Sequence, residues 1–102
     1  MKKITFDDLN NQVCVITGGA GIIGASIVEA LAANGIKTAI LDLNEEVASE
    51  LAAKIEKQSG TKTKAYKANV LDKESLIQVK KQINKDFGKI NILINGAGGN
   101  SP

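Results

Sequence analysis

Residues Thr17-Gly18-Gly19-Ala20-Gly21-Ile22-Ile23-Gly24 form a glycine-rich turn, and an acid, Asp42, follows about 20 residues later. Each glycine has a distinct job in holding a diphosphate. Gly18 and Gly19 permit a tight bend, Gly21 lets backbone approach a pyrophosphate with no Cβ in the way, and Gly24 brings a helix close to a sheet. The phosphates would then rest on free N–H groups at a helix start, where the dipole is positive. Asp42 is placed to accept hydrogen bonds from an adenosine ribose. A carboxylate there repels a 2′-phosphate, and no basic residue follows it in sequence until Lys54, so NAD is expected over NADP. No Gly-Lys-Ser/Thr follows the glycines, which excludes a P-loop. The bland alternatives are a glycine turn with no ligand and an aspartate that merely ends a strand before a helix.

The elements that position this turn are legible from hydropathy. Val13 to Thr17 is a continuous apolar run, as in a strand buried on both faces. Ile22 to Asn34 is Ala- and Ile-rich and nearly uncharged, predicting a well-buried helix stopped by Gly35. Lys37 to Leu41 is a second strand. Asn44 caps a second helix with Glu45 and Glu46 in its first turn, an apolar stripe of Val47, Leu51 and Ile55, and Gly60 as its stop. Lys64 to Val70 reads as a third, less apolar strand near a sheet edge. Asp72 caps a third helix with a stripe of Leu76, Val79, Ile83 and Phe87, ended by Gly88. Ile90 to Ile94 is a fourth strand, followed by a loop from Asn95 to Pro102.

This β-α-β-α-β-α-β order predicts an α/β fold, a Rossmann-type doubly wound parallel sheet in three layers, with strand order 3-2-1-4. Residues 1–102 read as one dinucleotide-binding domain. Its fourth strand is an apolar edge, so the chain is expected to be the front part of a larger sheet.

Composition removes other chemistries. The 102 residues carry a net charge of +2, no histidine and one cysteine. A structural zinc site, a Ser-His-Asp triad, a Cys-His pair and a disulfide within the chain are thereby excluded. No metal site is expected. The basic residues are scattered and lack interleaved aromatics, so nucleic acid is not an expected partner. No apolar run approaches the ~18 residues of a membrane span, and Met1 to Asn11 lacks the apolar core of a secretory signal. A cytoplasmic location is expected. Cys14, within the first strand, reads as a small core residue.

With these motifs in hand, the sequence from Val13 to Gly99 resembles the short-chain dehydrogenase/reductase family. Thr17, Gly18 and Gly24 match its Thr-Gly-x-x-x-Gly-x-Gly turn, with Ile22 in place of the middle glycine. The spacing with Gly21 instead matches the family's extended branch. Asn95-Gly96-Ala97-Gly98 matches the Asn-Asn-Ala-Gly that follows the fourth strand, with Gly96 for the second asparagine. The resemblance implies that Asn95 ties neighbouring strands, that Ala97 and Gly98 line the adenosine-ribose side, and that Ile23 lies near the nicotinamide. It implies that Asn69 and Val70 contact the adenine, asparagine keeping a hydrogen-bond acceptor while losing a charge. The combined motifs are most similar to a bacterial D-mannonate oxidoreductase (fructuronate reductase) subgroup, which implies a sugar-acid substrate.

The resemblance also implies hydride transfer between nicotinamide and a carbonyl or alcohol, assisted by a Tyr-x-x-x-Lys pair and a serine. These are absent here: four residues past Tyr66, the one tyrosine, stands Val70. Tyr66 is read as a packing residue, and no catalytic residue is assigned. Family members commonly form dimers or tetramers, so a homo-oligomer is implied at full length. A non-catalytic dinucleotide sensor shares every residue named. A methyltransferase using S-adenosylmethionine shares the turn and the acid, but usually has an acid where this chain has Thr17.

Overall fold

The computed structural model describes residues 12–96. Its elements alternate in chain order: β1 (Val13–Thr17), α1 (Ile22–Ala33), β2 (Lys37–Asp42), α2 (Glu45–Ser59), β3 (Thr63–Lys67), α3 (Lys73–Phe87) and β4 (Ile92–Asn95). The four strands are parallel in the order β3-β2-β1-β4, as the crossover pattern predicts.

Alternation along each strand divides the core between two faces. Ile16 and Ile40 pack with Val28 and Ala32 of α1 and with Ala48, Ala52 and Ile55 of α2. Val15, Ala39, Leu41 and Tyr66 pack on the other face against Ile83 of α3. The layers are thus two helices, the sheet and one helix. Ile16, Ile40, Ile55 and Ile83 are all fully buried. Each contributes roughly 1.5–3 kcal/mol of transfer free energy, which makes them the principal anchors.

Several local expectations are corrected. Helix α1 is not buried all round: its buried residues are Gly24, Val28 and Ala32, while Ile22 and Ile23 are 89% and 77% exposed. One stripe at four-residue spacing meets the sheet, and the first turn stands clear of it. On α2 the closest stripe is Ala48, Ala52 and Ile55; Val47 is exposed and Leu51 half-buried. Two adjacent stripes were apolar, and the one with alanines allows the closer approach of helix to sheet. On α3 the expected stripe holds, with Leu76, Val79 and Phe87 packed around Ile83.

Strand β3 ends at Lys67 rather than Val70. Ala68 still donates its N–H to the Asp42 carbonyl at 3.1 Å, after which Asn69 turns the chain toward α3. Strand β4 starts at Ile92 because Asn91 forms the entry clamp. Its N–H donates to the Val13 carbonyl at 2.9 Å, and its Oδ1 accepts from Val13 N–H at 2.9 Å. The caps predicted for α2 and α3 are present: Asn44 accepts from Val47 N–H, and Asp72 from Glu74 and Ser75 N–H. Gly60, with φ 74°, supplies the left-handed stop of α2. Among the described residues, no helix is long and apolar enough to cross a membrane.

Candidate functional site

The glycine turn spans the gap between β1 and α1 at the C-terminal end of the sheet. Gly18 opens it at φ 70°, a left-handed conformation that a side chain would strain. Its N–H donates to the Leu41 carbonyl at 2.7 Å, which fastens the turn to β2.

The remaining glycines divide by what a Cβ would meet. At Gly24 it would lie 2.6 Å from the Gly18 carbonyl oxygen and 2.7 Å from Gly19 Cα, so only glycine lets α1 cross the turn this closely. At Gly19 it would meet the Ile40 and Ile16 side chains at 2.9 and 3.0 Å. At Gly21 the nearest atom is the Gly18 oxygen at 3.7 Å, so that side of the backbone is open. Gly24 and Gly19 therefore serve packing, whereas Gly21 leaves open space over the start of α1.

That helix start is unlike the other two. Gly21 is its N-cap, no side chain caps it, and no acid lies in its first turn. Helices α2 and α3 each have a side-chain cap and at least one first-turn acid. An uncapped N-terminus without an acid leaves its N–H groups and positive dipole end to an anion. The residues fit a diphosphate: amides, an open face at Gly21, and no side chain competing for them.

Asp42 closes the rim. Its Oδ2 accepts from Ala20 N–H at 3.3 Å, and its Oδ1 accepts from Asn44 N–H at 2.9 Å. Asp42 is only partly buried, so the carboxylate also borders solvent. Sequence reading found Asp42 but missed its amide partners, because backbone donors have no side-chain signature.

The other expected residues fall around this end. Asn95, at the tip of β4, accepts from Thr17 Oγ1 at 2.9 Å, which is the strand tie expected of it. Gly96 N–H donates to the Thr17 carbonyl at 3.0 Å, and a Cβ on Gly96 would stand 2.8 Å from that oxygen. Glycine for the second asparagine is therefore part of how β4 leaves the sheet. Ile23 is exposed on the first turn of α1. Val70 lines the rim. Asn69 follows β3, and its Oδ1 accepts from Leu71 N–H at 3.0 Å in an Asx turn that uses one of that oxygen's two lone pairs. Ala97 and Gly98 lie outside the described residues.

An apolar groove of about 840 Å³ runs between α3 and strands β1 and β4. Val15, Leu41, Ile83 and Leu93 line it, and it reaches Val70 and Asn95 at the rim. Leu93 is 71% exposed there.

Neither remaining reactive group is engaged at the glycine turn. Cys14 is buried in β1, where loss of hydration pushes its thiol up to about 11. Tyr66 is buried on β3 and donates to Asp86 Oδ2 at 2.6 Å. Burial first, then that hydrogen bond and the carboxylate's charge, raise its phenol well above the ordinary range. It is a packing residue, as its strand position implied. No group of three or more metal-ligating side chains occurs among the described residues.

A parallel sheet in this order, with an uncapped glycine turn and an acid closing the rim, defines a Rossmann-type nucleotide-binding fold. The model of the short chain dehydrogenase family matches residues 12–102, and the chain belongs to that family. An uncharacterized oxidoreductase of Haemophilus influenzae is 47% identical over 95 residues, which are 93% of this chain and 33% of that protein. A crystal structure from the same organism, of a candidate D-mannonate oxidoreductase with bound NAD, superposes with a TM-score of 0.83 at 48% identity. The match covers 90% of this chain and 32% of that one. The L-sorbose reductase of Gluconobacter frateurii, complexed with NADPH and L-sorbose, gives a TM-score of 0.81 at 28% identity. There 85% of this chain and 33% of the other are covered. The chain thus spans about a third of the length of the relatives it matches.

Proposed function

We propose that this chain binds a nicotinamide dinucleotide, NAD in preference to NADP, and supplies the cofactor part of a short-chain dehydrogenase acting on a sugar acid. The observation that carries the reading is the open, uncapped start of α1 beside the Asp42 carboxylate. The uncapped amides at the start of α1 hold the pyrophosphate, and Asp42 accepts from the adenosine ribose. Asn69 and Val70 border the adenine, with Val70 supplying apolar contact. Ile23 faces the nicotinamide, Asn95 ties β4 to β1, and Ala97 and Gly98 are assigned to the adenosine-ribose side by the family resemblance. The bound cofactor supplies the hydride acceptor or donor; these residues orient it.

Asp42 favours NAD because its charge opposes a 2′-phosphate, and the candidate D-mannonate oxidoreductase carries NAD. That relative also supports the sugar-acid substrate, and L-sorbose in the reductase is a related polyhydroxylated carbonyl compound. At full length the apolar groove beside β4 is covered by further chain, which also brings a Tyr-x-x-x-Lys pair and a serine. The full-length protein is a cytoplasmic dimer or tetramer in this reading, and the single cysteine suits that compartment.

The test is a titration of the full-length protein with NAD, NADP and S-adenosylmethionine, followed by NADH oxidation with D-fructuronate. Saturable NAD binding, weaker NADP binding and turnover of fructuronate are expected. Binding of NAD without turnover of any carbonyl or alcohol would leave a non-catalytic sensor as the answer. Preference for S-adenosylmethionine would overturn the cofactor assignment.

A further inference from the structure

We propose that Asp42 is a positioning residue as well as a ribose contact: it holds the glycine turn in its binding shape before any ligand arrives. The proposal rests on the dinucleotide reading for its significance, though not for its geometry. Two contacts fasten the turn to the end of β2, and both end on neighbouring residues of that strand. Gly18 N–H donates to the Leu41 carbonyl at 2.7 Å, and Ala20 N–H donates to Asp42 Oδ2 at 3.3 Å. The first fixes where the turn begins. The second fixes its middle, one residue before the Gly21 backbone that must stay open.

The rest of the turn cannot do this alone. Ala20 is half-buried, and the bond within the bend, Gly21 N–H to the Gly18 carbonyl at 3.4 Å, starts and ends in the turn and so does not fix it to the sheet. A run containing Gly18, Gly19 and Gly21 also has a large conformational entropy to lose. A charge-assisted bond to a carboxylate that is itself braced offsets part of that loss. The brace is Asn44 N–H on Oδ1 at 2.9 Å, and Asn44 is in turn the cap of α2. The carboxylate is therefore held from the α2 side and holds the turn on the other. Removing it loosens the pyrophosphate seat, even for a ligand that offers Asp42 nothing to bind.

The prediction separates this role from ribose recognition. NAD and its analogue lacking both adenosine-ribose hydroxyls are titrated into the wild-type protein and Asp42→Ala, at full length. If Asp42 only binds ribose, the analogue binds both proteins equally, and the proposal is overturned. If it also holds the turn, Asp42→Ala weakens analogue binding by about tenfold, the scale of one charge-assisted hydrogen bond. Asp42→Asn keeps the volume and one acceptor oxygen, and should recover part of that loss. Amide exchange of Ala20 in the ligand-free protein is read in parallel. Faster exchange in Asp42→Ala, with core amides such as Ile40 unchanged, supports the holding role without reference to any ligand. Unchanged Ala20 exchange overturns it. Should the wild-type protein bind no dinucleotide, the cofactor reading fails while the exchange measurement still decides the holding role. Should Asp42→Ala fail to fold, Asp42→Leu, which keeps the volume and has no acceptor, carries both measurements.

Discussion

Thr17 on β1 donates its hydroxyl to the Asn95 side-chain oxygen on β4, 2.9 Å away, at the edge of the sheet where the glycine turn begins. The two residues are also register partners, so the bond lies across neighbouring strands at their last paired position. It ties the start of the glycine turn to the end of β4. Thr17→Val keeps the branched shape and removes the donor. It should cost about 1 kcal/mol of stability and weaken cofactor binding, while Thr17→Ser should restore both. Chemical denaturation and a binding titration measure the two effects.

Gly21 and Gly24 should respond to alanine in opposite ways. Gly24→Ala puts a methyl 2.6 Å from backbone, so the turn or α1 must move, at a cost of roughly 1–3 kcal/mol or more. Gly21 has φ −72° and ψ 170°, which alanine adopts freely, and open space beside it. Gly21→Ala should therefore change stability by less than about 1 kcal/mol, alanine's poorer fit at an N-cap offsetting the entropy gain, while lowering cofactor affinity at least about tenfold. Melting curves and titrations of both variants make the comparison.

Tyr66 is the one tyrosine of the chain and there is no tryptophan, so its ultraviolet absorbance reports a single phenol. Burial, and then the pairing with Asp86, predict ionisation well above the ordinary value of 10.0. Asp86→Asn removes the carboxylate charge, and an absorbance titration of the chain should then move down toward the ordinary value. Asp86 also pairs with Lys64 at 3.0 Å, and the pKa of its partly buried carboxyl is lowered first by the Tyr66 hydrogen bond.

Alkaline pH should destabilise the fold in a defined order. The Cys14 thiol titrates at an ordinary 9.0 when unfolded and about 11 when folded. The folded state thus holds a proton that the unfolded state releases, and stability present below pH 9.0 is lost as pH rises toward about 11. Tyr66 adds its own loss above its ordinary 10.0, so the first part of the fall belongs to Cys14. Cys14→Ala should flatten denaturation midpoints across that first part. The native thiol should also resist a thiol reagent near neutral pH and react once denatured.

Much of this was legible in the sequence because it rests on local rules. Continuous apolar runs named the strands, caps at Asn44 and Asp72 placed two helices, and Gly60 ended one of them. The turn and Asp42 could be read as a candidate site because a strand, a glycine turn, a helix and an acid follow one another at a recognisable spacing. What escaped depended on distance between elements. Val47 and Ala48 both belong to apolar stripes of α2, and only the closeness of the helix to β2 and β3 selects the alanines. The exposure of Ile22 and Ile23 follows from where the first turn of α1 stands, which composition does not encode. The Asx turn at Asn69 ended β3 early, although the apolar Val70 suggested continuation.

The central claim is that a diphosphate sits on the main-chain amides where α1 begins. Backbone amide shifts of the isotope-labelled full-length protein during an NAD titration test it most directly. The largest, saturable changes are expected at Gly18 to Gly24 and around Asp42, with weaker ones at Val70. Saturable binding that leaves the amides from Gly18 to Gly24 unmoved would contradict it.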